Sequence, residues 1–100
     1  MTKGWLIGVM VELAGEAVPV RHFFAVGFEE RAQAEWRAID AALLVGSVAA
    51  SPVQGLEPVH AVSALAPRTV SAQALKAGEV RALGRRWPRR WLPVEAIGEA

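Results

Sequence analysis

The chain has no cysteine, and this absence excludes several kinds of structure and chemistry. Without thiols there is no disulfide scaffold, no cysteine nucleophile and no thiolate metal site. A chain of 100 residues is nevertheless long enough to build one domain with a modest hydrophobic core and no structural metal. Its hydrophobic fraction of 53% is that of a globular chain rather than a disordered one, so we expect a folded body.

Long hydrophobic runs are also lacking. The longest charge-free stretch, residues 41 to 56, is broken by glycine, serine, proline and glutamine, and it is too short and too polar to span a bilayer. A shorter apolar run over residues 4 to 11 follows Lys3 in the manner of a signal peptide, but Glu12 closes it directly. We therefore expect a cytoplasmic protein without a transmembrane segment.

Residues that commonly carry catalysis are few and scattered. His22 and His60 each lie in a predicted strand, and an intervening strand would hold them about 10 Å apart, too far to share a metal ion. We therefore expect histidines that are hydrogen-bonded or at the surface. No serine lies in a Gly-x-Ser-x-Gly turn or beside a local base. The sequence thus identifies no catalytic, cofactor-binding or metal-binding residue, and it favours a protein that is not an enzyme.

Hydrophobic periodicity over residues 1 to 83 predicts a single α+β domain. Apolar residues alternate over residues 5 to 13 and over residues 18 to 26, which predicts a hairpin. The first of these strands is apolar on both faces and is therefore expected at the centre of the sheet. A third strand is expected over residues 56 to 66, after a loop at residues 46 to 55.

The end of this domain has a weaker pattern. A short second helix is expected to begin with a cap at Thr69 or Ser71 and to be terminated by Gly78. Residues 79 to 83 fit either a further turn or a short strand. From residue 84 onwards the composition changes completely.

An amphipathic helix over residues 28 to 45 is the clearest element of the sequence. The side chains of its larger apolar stripe are Phe28, Ala32, Trp36, Ile39 and Leu43. We expect this stripe to pack on one face of the sheet, against Val20, Phe24 and Val26. A second arc of small apolar residues, Ala34, Ala38, Ala41 and Val45, permits close approach by another element or subunit. Gly46 stands where a left-handed residue would end the helix.

These elements predict a small two-layer sandwich with a β-β-α-β core, a short second helix and an extended C-terminal tail. The doubly apolar first strand gives a sheet order of 2-1-3. A right-handed crossover through the helix predicts that the third strand runs parallel to the first. In outline this topology resembles the β-grasp and half of a ferredoxin-like fold, which host many unrelated functions and imply no activity.

The net charge of +1 conceals a local excess of arginine. Residues 1 to 80 carry six basic groups against eight acidic ones, and residues 93 to 100 carry two glutamates. Residues 81 to 92 carry five arginines and no acid, so the whole basic excess lies in twelve residues. An almost tandem Arg-Arg-Trp repeat there supplies the candidate partner-binding residues: Arg85, Arg86, Trp87, Arg89, Arg90 and Trp91.

This C-terminal extension, residues 84 to 100, has more than one interpretation. Arginine pairs with phosphate, and tryptophan stacks on bases or lies at a membrane interface, so an anionic surface is one partner. Alternatively, Trp87 and Trp91 fold back onto the domain or a partner subunit, with the arginines facing solvent. Burying one indole recovers roughly 2 to 3 kcal/mol, so we expect the tryptophans to be mostly protein-bound.

Two functions from different classes remain. The first is a non-enzymatic structural or protein-interaction module that self-associates, because the sheet face opposite the helix presents an apolar patch. The residues expected in this oligomer face are Leu6, Met10, Phe23 and Val62. The other interpretation is that the second helix or the tail covers this face. The alternative is an accessory protein that binds nucleic acid through the basic tail.

Overall fold

A computed structural model describes residues 3–53 and 55–88. Within these ranges the elements are β1 (Gly4–Glu12), β2 (Val20–Val26), α1 (Arg31–Ala42), β3 (Ser47–Val48), β4 (Val59–Leu65), α2 (Pro67–Ala72) and β5 (Val80–Gly84). The strands form one sheet in which every pairing is antiparallel. The predicted α+β class is confirmed, and the predicted tail beyond residue 88 lies outside the described residues.

Strand β1 lies at the centre of the sheet, as its doubly apolar pattern predicts. It pairs with β2 along one edge and with β3 and β4 in turn along the other, while β5 extends the sheet beyond β2. The predicted order 2-1-3 is therefore confirmed, with β4 as the third predicted strand. The short strand β5 settles the ambiguity over residues 79 to 83.

The predicted orientation of the third strand is wrong, because β4 runs antiparallel to β1. The crossover through α1 leaves from β2, so the parallel relation that it imposes holds between β2 and β4. Strand β1 lies between this pair and is antiparallel to both. The prediction related the third strand to β1, whereas the crossover through α1 connects β2 with β4.

The face of α1 that packs on the sheet differs from the predicted one. Ala34, Ala38 and Ala42 are fully buried, and they contact a core formed on the sheet by Ile7, Val9, Val11, Phe24 and Val26. Residues four apart share one side of a helix, so these alanines form a continuous small stripe. The larger apolar stripe lies elsewhere: Trp36, Leu43 and Ala32 are exposed and Ile39 is half-buried.

The helix packs on its alanine side because the sheet already supplies the bulky side chains of this layer. Phe24 is completely buried there, so only small side chains fill the remaining space at native density. Phe28 precedes the helix and is half-buried against the same core, which is the part of the predicted stripe that is confirmed.

The opposite face of the sheet has a core of its own. Leu6, Phe23 and Ala25 pack there against Leu65, Val70 and Leu75, with Val62, Leu83 and Trp87 at the margin. Val70 lies on α2, which begins at Pro67 rather than at the predicted caps Thr69 or Ser71. Proline fits the first turn of a helix because its missing N–H has no helical acceptor there. The sheet is therefore covered on both faces.

Gly46 is required by close packing rather than by a left-handed backbone. It is not among the glycines with positive φ, so the predicted helix-terminating role is wrong. A Cβ at this position would lie 2.4 Å from the carbonyl oxygen of Glu12 and 2.9 Å from Cγ1 of Val11. Only glycine lets the chain after α1 turn this closely into β3 beside β1.

Candidate interaction surface

An apolar stripe on α1 faces away from the sheet; we call it the outer stripe. Its residues are Ala32, Trp36, Ile39 and Leu43. Trp36 is 65% exposed and Leu43 is 58% exposed, and the adjoining Leu44 is 90% exposed. Side chains at i, i+4 and i+7 lie on one side of a helix. The four residues of the outer stripe therefore form one patch rather than isolated exposed residues. A contiguous exposed apolar patch is typical of a surface that binds another protein.

Polar side chains border the outer stripe on both sides. On one side, Nε of Arg31 donates a hydrogen bond of 3.2 Å to Oε2 of Glu35. On the other side, Gln33 and Asp40 are exposed. An apolar centre with a polar rim is the usual composition of a protein–protein interface.

Contacts at its N-terminal end fix α1 on the body. The indole Nε1 of Trp5 donates a hydrogen bond of 2.9 Å to the carbonyl oxygen of Glu29, just before the helix. The guanidinium carbon of Arg37 lies 4.9 Å from the centre of the Phe28 ring, within the range of a cation–π contact. These contacts and the buried alanines hold the outer stripe in a fixed orientation.

The sheet residues expected to form an oligomer face do not form a bare patch. Leu6, Met10 and Phe23 are buried within the chain, and Val62 is half-buried at the edge of the second core. Residues of β4, α2 and the segment before residue 88 cover this face. A contact between subunits through these residues stays a prediction. The apolar surface on which that prediction was based is covered by other residues of the same chain.

The first part of the Arg/Trp tail, up to residue 88, lies against the body. The rings of Trp87 and Phe23 lie 4.4 Å apart between centroids, and Nε1 of Trp87 is buried with no hydrogen-bond partner among the described residues. Arg85 and Arg86 are exposed, and Arg85 forms an ion pair with Glu16 in the β1–β2 turn. In this part of the tail the Trp87 ring contacts the body, and Arg85 and Arg86 face solvent. The candidate residues Arg89, Arg90 and Trp91 lie outside the described residues.

Arg21 lies across the sheet face next to Phe23, a placement that the sequence did not indicate. A Cβ at Gly8 would lie 2.6 Å from its Nε, so the missing side chain of Gly8 leaves the space that the guanidinium occupies. The guanidinium carbon lies 5.1 Å from the centre of the Phe23 ring. Burial lowers the pKa of Arg21 from its ordinary value. Within residues 3–53 and 55–88, no carboxylate pairs with this arginine.

The two histidines lie on opposite faces of the sheet. His22 faces Val9 across the β1–β2 pair, whereas His60 faces Gly8 across the β1–β4 pair, and neighbouring residues of β1 point to opposite sides. Burial, followed by the charge of Arg85, lowers the pKa of His22, whose Nε2 is buried and finds no hydrogen-bond partner in the described residues. His60 is an exposed residue, as expected, but partial burial of its imidazole and then the charge of Arg21 lower its pKa as well.

No arrangement of metal ligands is present in the part of the chain that the structure describes. There, no cluster of at least three histidine, aspartate or glutamate residues is close enough to hold an ion. The same described residues contain no helix of the length and hydrophobicity needed to cross a membrane.

A shallow cleft of about 360 Å³ lies beside the start of α1. It is lined by Gly27, Phe28, Glu29, Arg37, Ala77 and Gly78. Its arginine is engaged over Phe28, and its lining includes neither a histidine nor a hydroxyl group. The cleft therefore supplies no nucleophile with an adjacent base.

Comparisons with protein-family models, with curated proteins and with solved structures give no significant match. The outer stripe and the two residues that follow it hold four of the six large hydrophobic side chains that are exposed in the described part of the chain. The residues of the outer stripe were identified in the sequence as one helical arc, but they were assigned to the core because large apolar side chains are usually buried.

Proposed function

We propose that this protein is a non-enzymatic structural or protein-interaction module that self-associates through the outer stripe of α1. The proposal rests on one observation: Trp36 on α1 and Leu43 at its C-cap are both exposed, two turns apart on one side of the helix, while Ala34, Ala38 and Ala42 are packed on the sheet. Tryptophan is enriched among the residues that contribute most to protein–protein binding. The contact between copies that was expected on the sheet face is placed on α1 instead. We also propose the expected cytoplasmic location.

Self-association is favoured over an unrelated partner because the same surface exists on every copy. A two-fold interface brings one patch against its own copy, so each apolar side chain contributes twice. Trp36 and Leu43 would then be removed from water without any second protein.

The alternative function is nucleic-acid binding through the basic tail. The exposed side chain of Arg86 supports nucleic-acid binding. Arg85 is already paired with Glu16, and the Trp87 ring already packs on Phe23, so neither is free to contact a nucleic acid in this structure. This alternative therefore depends mainly on residues 89 to 91.

Size-exclusion chromatography at low and physiological salt, with and without a single-stranded oligonucleotide, separates these functions. Apolar self-association predicts a dimer at both salt concentrations whose elution is unchanged by the oligonucleotide. Tail-mediated binding predicts co-elution with the oligonucleotide that weakens steeply as salt rises, because phosphate contacts release counterions. A monomer at both salt concentrations that binds the oligonucleotide would replace the first proposal by the second.

A further inference from the structure

We propose that the outer stripe meets the outer stripe of a second copy in antiparallel orientation, around a two-fold axis that passes between Arg37 and Ala38. This arrangement rests on the self-association proposed above and specifies which residues meet. It follows from the spacing of the stripe, from the sizes of its side chains and from the charges beside it.

The spacing of the outer stripe is the same in both directions along the helix. Its residues, Ala32, Trp36, Ile39 and Leu43, are separated by four, three and four positions. This is the spacing of a coiled-coil seam, in which side chains of one helix insert between those of its neighbour. Because the order four, three, four is unchanged on reversal, an antiparallel copy presents side chains at matching heights.

The sizes of the facing side chains are complementary in this arrangement. The axis places Ala32 opposite Leu43 of the second copy, and Trp36 opposite Ile39 of the second copy. Each large side chain thus meets a smaller one, which is how packed layers avoid both voids and overlap. A parallel pair would instead place the two Trp36 rings against each other at one level.

The charges beside the stripe favour the antiparallel orientation. In a parallel pair, residues five positions apart meet across the interface, so Glu35 of each copy would face Asp40 of the other and like charges would repel. In the antiparallel pair Asp40 faces Gln33 of the second copy, whose amide group donates a hydrogen bond to the carboxylate. Glu35 is already paired with Arg31 on its own helix.

The fold leaves room for this contact. The buried alanines Ala34, Ala38 and Ala42 lie on the side of α1 opposite the outer stripe. The sheet of each copy therefore lies away from the contact between the two outer stripes.

Cysteine cross-linking tests the orientation cleanly, because the chain has no cysteine of its own. Single variants Gln33→Cys and Asp40→Cys are mixed in equal amounts and treated with a short thiol cross-linker, and the products are identified by mass. With a rise of 1.5 Å per residue, the antiparallel axis leaves an offset along the helix of about 3 Å between position 33 and position 40 of the other copy. The offset is about 14 Å between the two copies of position 33. A parallel pair reverses this order, with about 10 Å between unlike positions.

The antiparallel pair predicts that the mixed product is several-fold more abundant than the product of Gln33→Cys with itself. Val18→Cys, at an exposed apolar position in the β1–β2 turn, is the control and gives no product above background. If the product of Gln33→Cys with itself dominates over the mixed product, the antiparallel inference is overturned and self-association through the outer stripe stays intact. A dimer, seen by sedimentation, that cross-links at neither α1 position would overturn both the arrangement and the use of the outer stripe. A chain that sediments as a monomer would overturn both the arrangement and the proposed function.

Discussion

At the scale of single residues, Gly46 illustrates how a glycine is required by its neighbours. Its Cα faces the carbonyl oxygen of Glu12, and an added Cβ would lie 2.4 Å from that oxygen. Backbone atoms of a central strand move little, so the strain would fall on the connection between α1 and β3.

We predict that Gly46→Ala and Gly46→Asn both lower the free energy of unfolding, by about 1 to 3 kcal/mol. The comparison between them separates the two explanations for this glycine. Asparagine tolerates a left-handed backbone, so it would be the milder substitution if backbone conformation were the reason. Urea denaturation measures both variants, and a stable Gly46→Asn beside an unstable Gly46→Ala would contradict the close-packing explanation.

His22 gives a residue-scale prediction about pH. Its pKa in the folded chain is lowered from 6.5, so below that pH the unfolded chain binds a proton that the folded chain does not. The unfolded chain then holds more protons, and stability falls as the pH drops from 6.5 towards the lowered value. Above 6.5 both forms are neutral and this contribution is complete.

We expect His22→Asn to reduce the loss of stability between about pH 7.5 and about pH 5.5, measured by urea denaturation. His60→Asn serves as a comparison, because the pKa of His60 is lowered as well. A variant without His22 that shows the full pH dependence of the parent chain would show that this imidazole does not contribute.

At the scale of elements, the two apolar sides of α1 should respond oppositely to mutation. We predict that Ala38→Leu lowers the free energy of unfolding by about 1 to 3 kcal/mol, because its site is fully buried against the sheet. Leu43→Ala should change the stability of the dilute monomer by less than about 0.5 kcal/mol. Denaturation of both variants at low concentration provides the measurement. A large loss with Leu43→Ala and none with Ala38→Leu would mean that the helix packs on its larger stripe after all.

The limits of sequence-based prediction are clear for these elements. The hairpin, the central position of β1 and the existence of α1 follow from periodicity, since alternation and a 3.6-residue repeat are local properties. Which side of α1 is buried is not local. It depends on the volume left by Phe24 and its neighbours on the sheet, and both sides of the helix are apolar.

The candidate site was predictable only in part for the same reason. Periodicity placed the residues of the outer stripe on one helical arc but assigned that arc to the core. Trp87, which was expected to be protein-bound, lies at the margin of the second core. Arg21 was missed because its position over Gly8 results from strand register, which brings these residues together only after pairing.

At the scale of the whole molecule, the fold buries both faces of its sheet and leaves the outer side of one helix apolar. A fold of this kind buries its core within a single chain. Removing the exposed outer stripe from water would lower the free energy further. Because Trp36 and Leu43 are exposed in the single chain, mutations at these residues can separate the proposed association from folding. This separation makes the central claim directly testable.

Sedimentation velocity over a range of protein concentrations tests self-association through the outer stripe most directly. The two variants are Leu43→Glu, at a stripe residue that is 58% exposed, and Val18→Glu, at a 56% exposed residue of the β1–β2 turn. We predict that the parent chain and Val18→Glu form a dimer as concentration rises, whereas Leu43→Glu stays monomeric. At a dilution where the parent chain is also a monomer, the melting temperature of Leu43→Glu equals that of the parent. A parent chain that stays monomeric, or a Leu43→Glu variant that dimerises like the parent, would contradict the account.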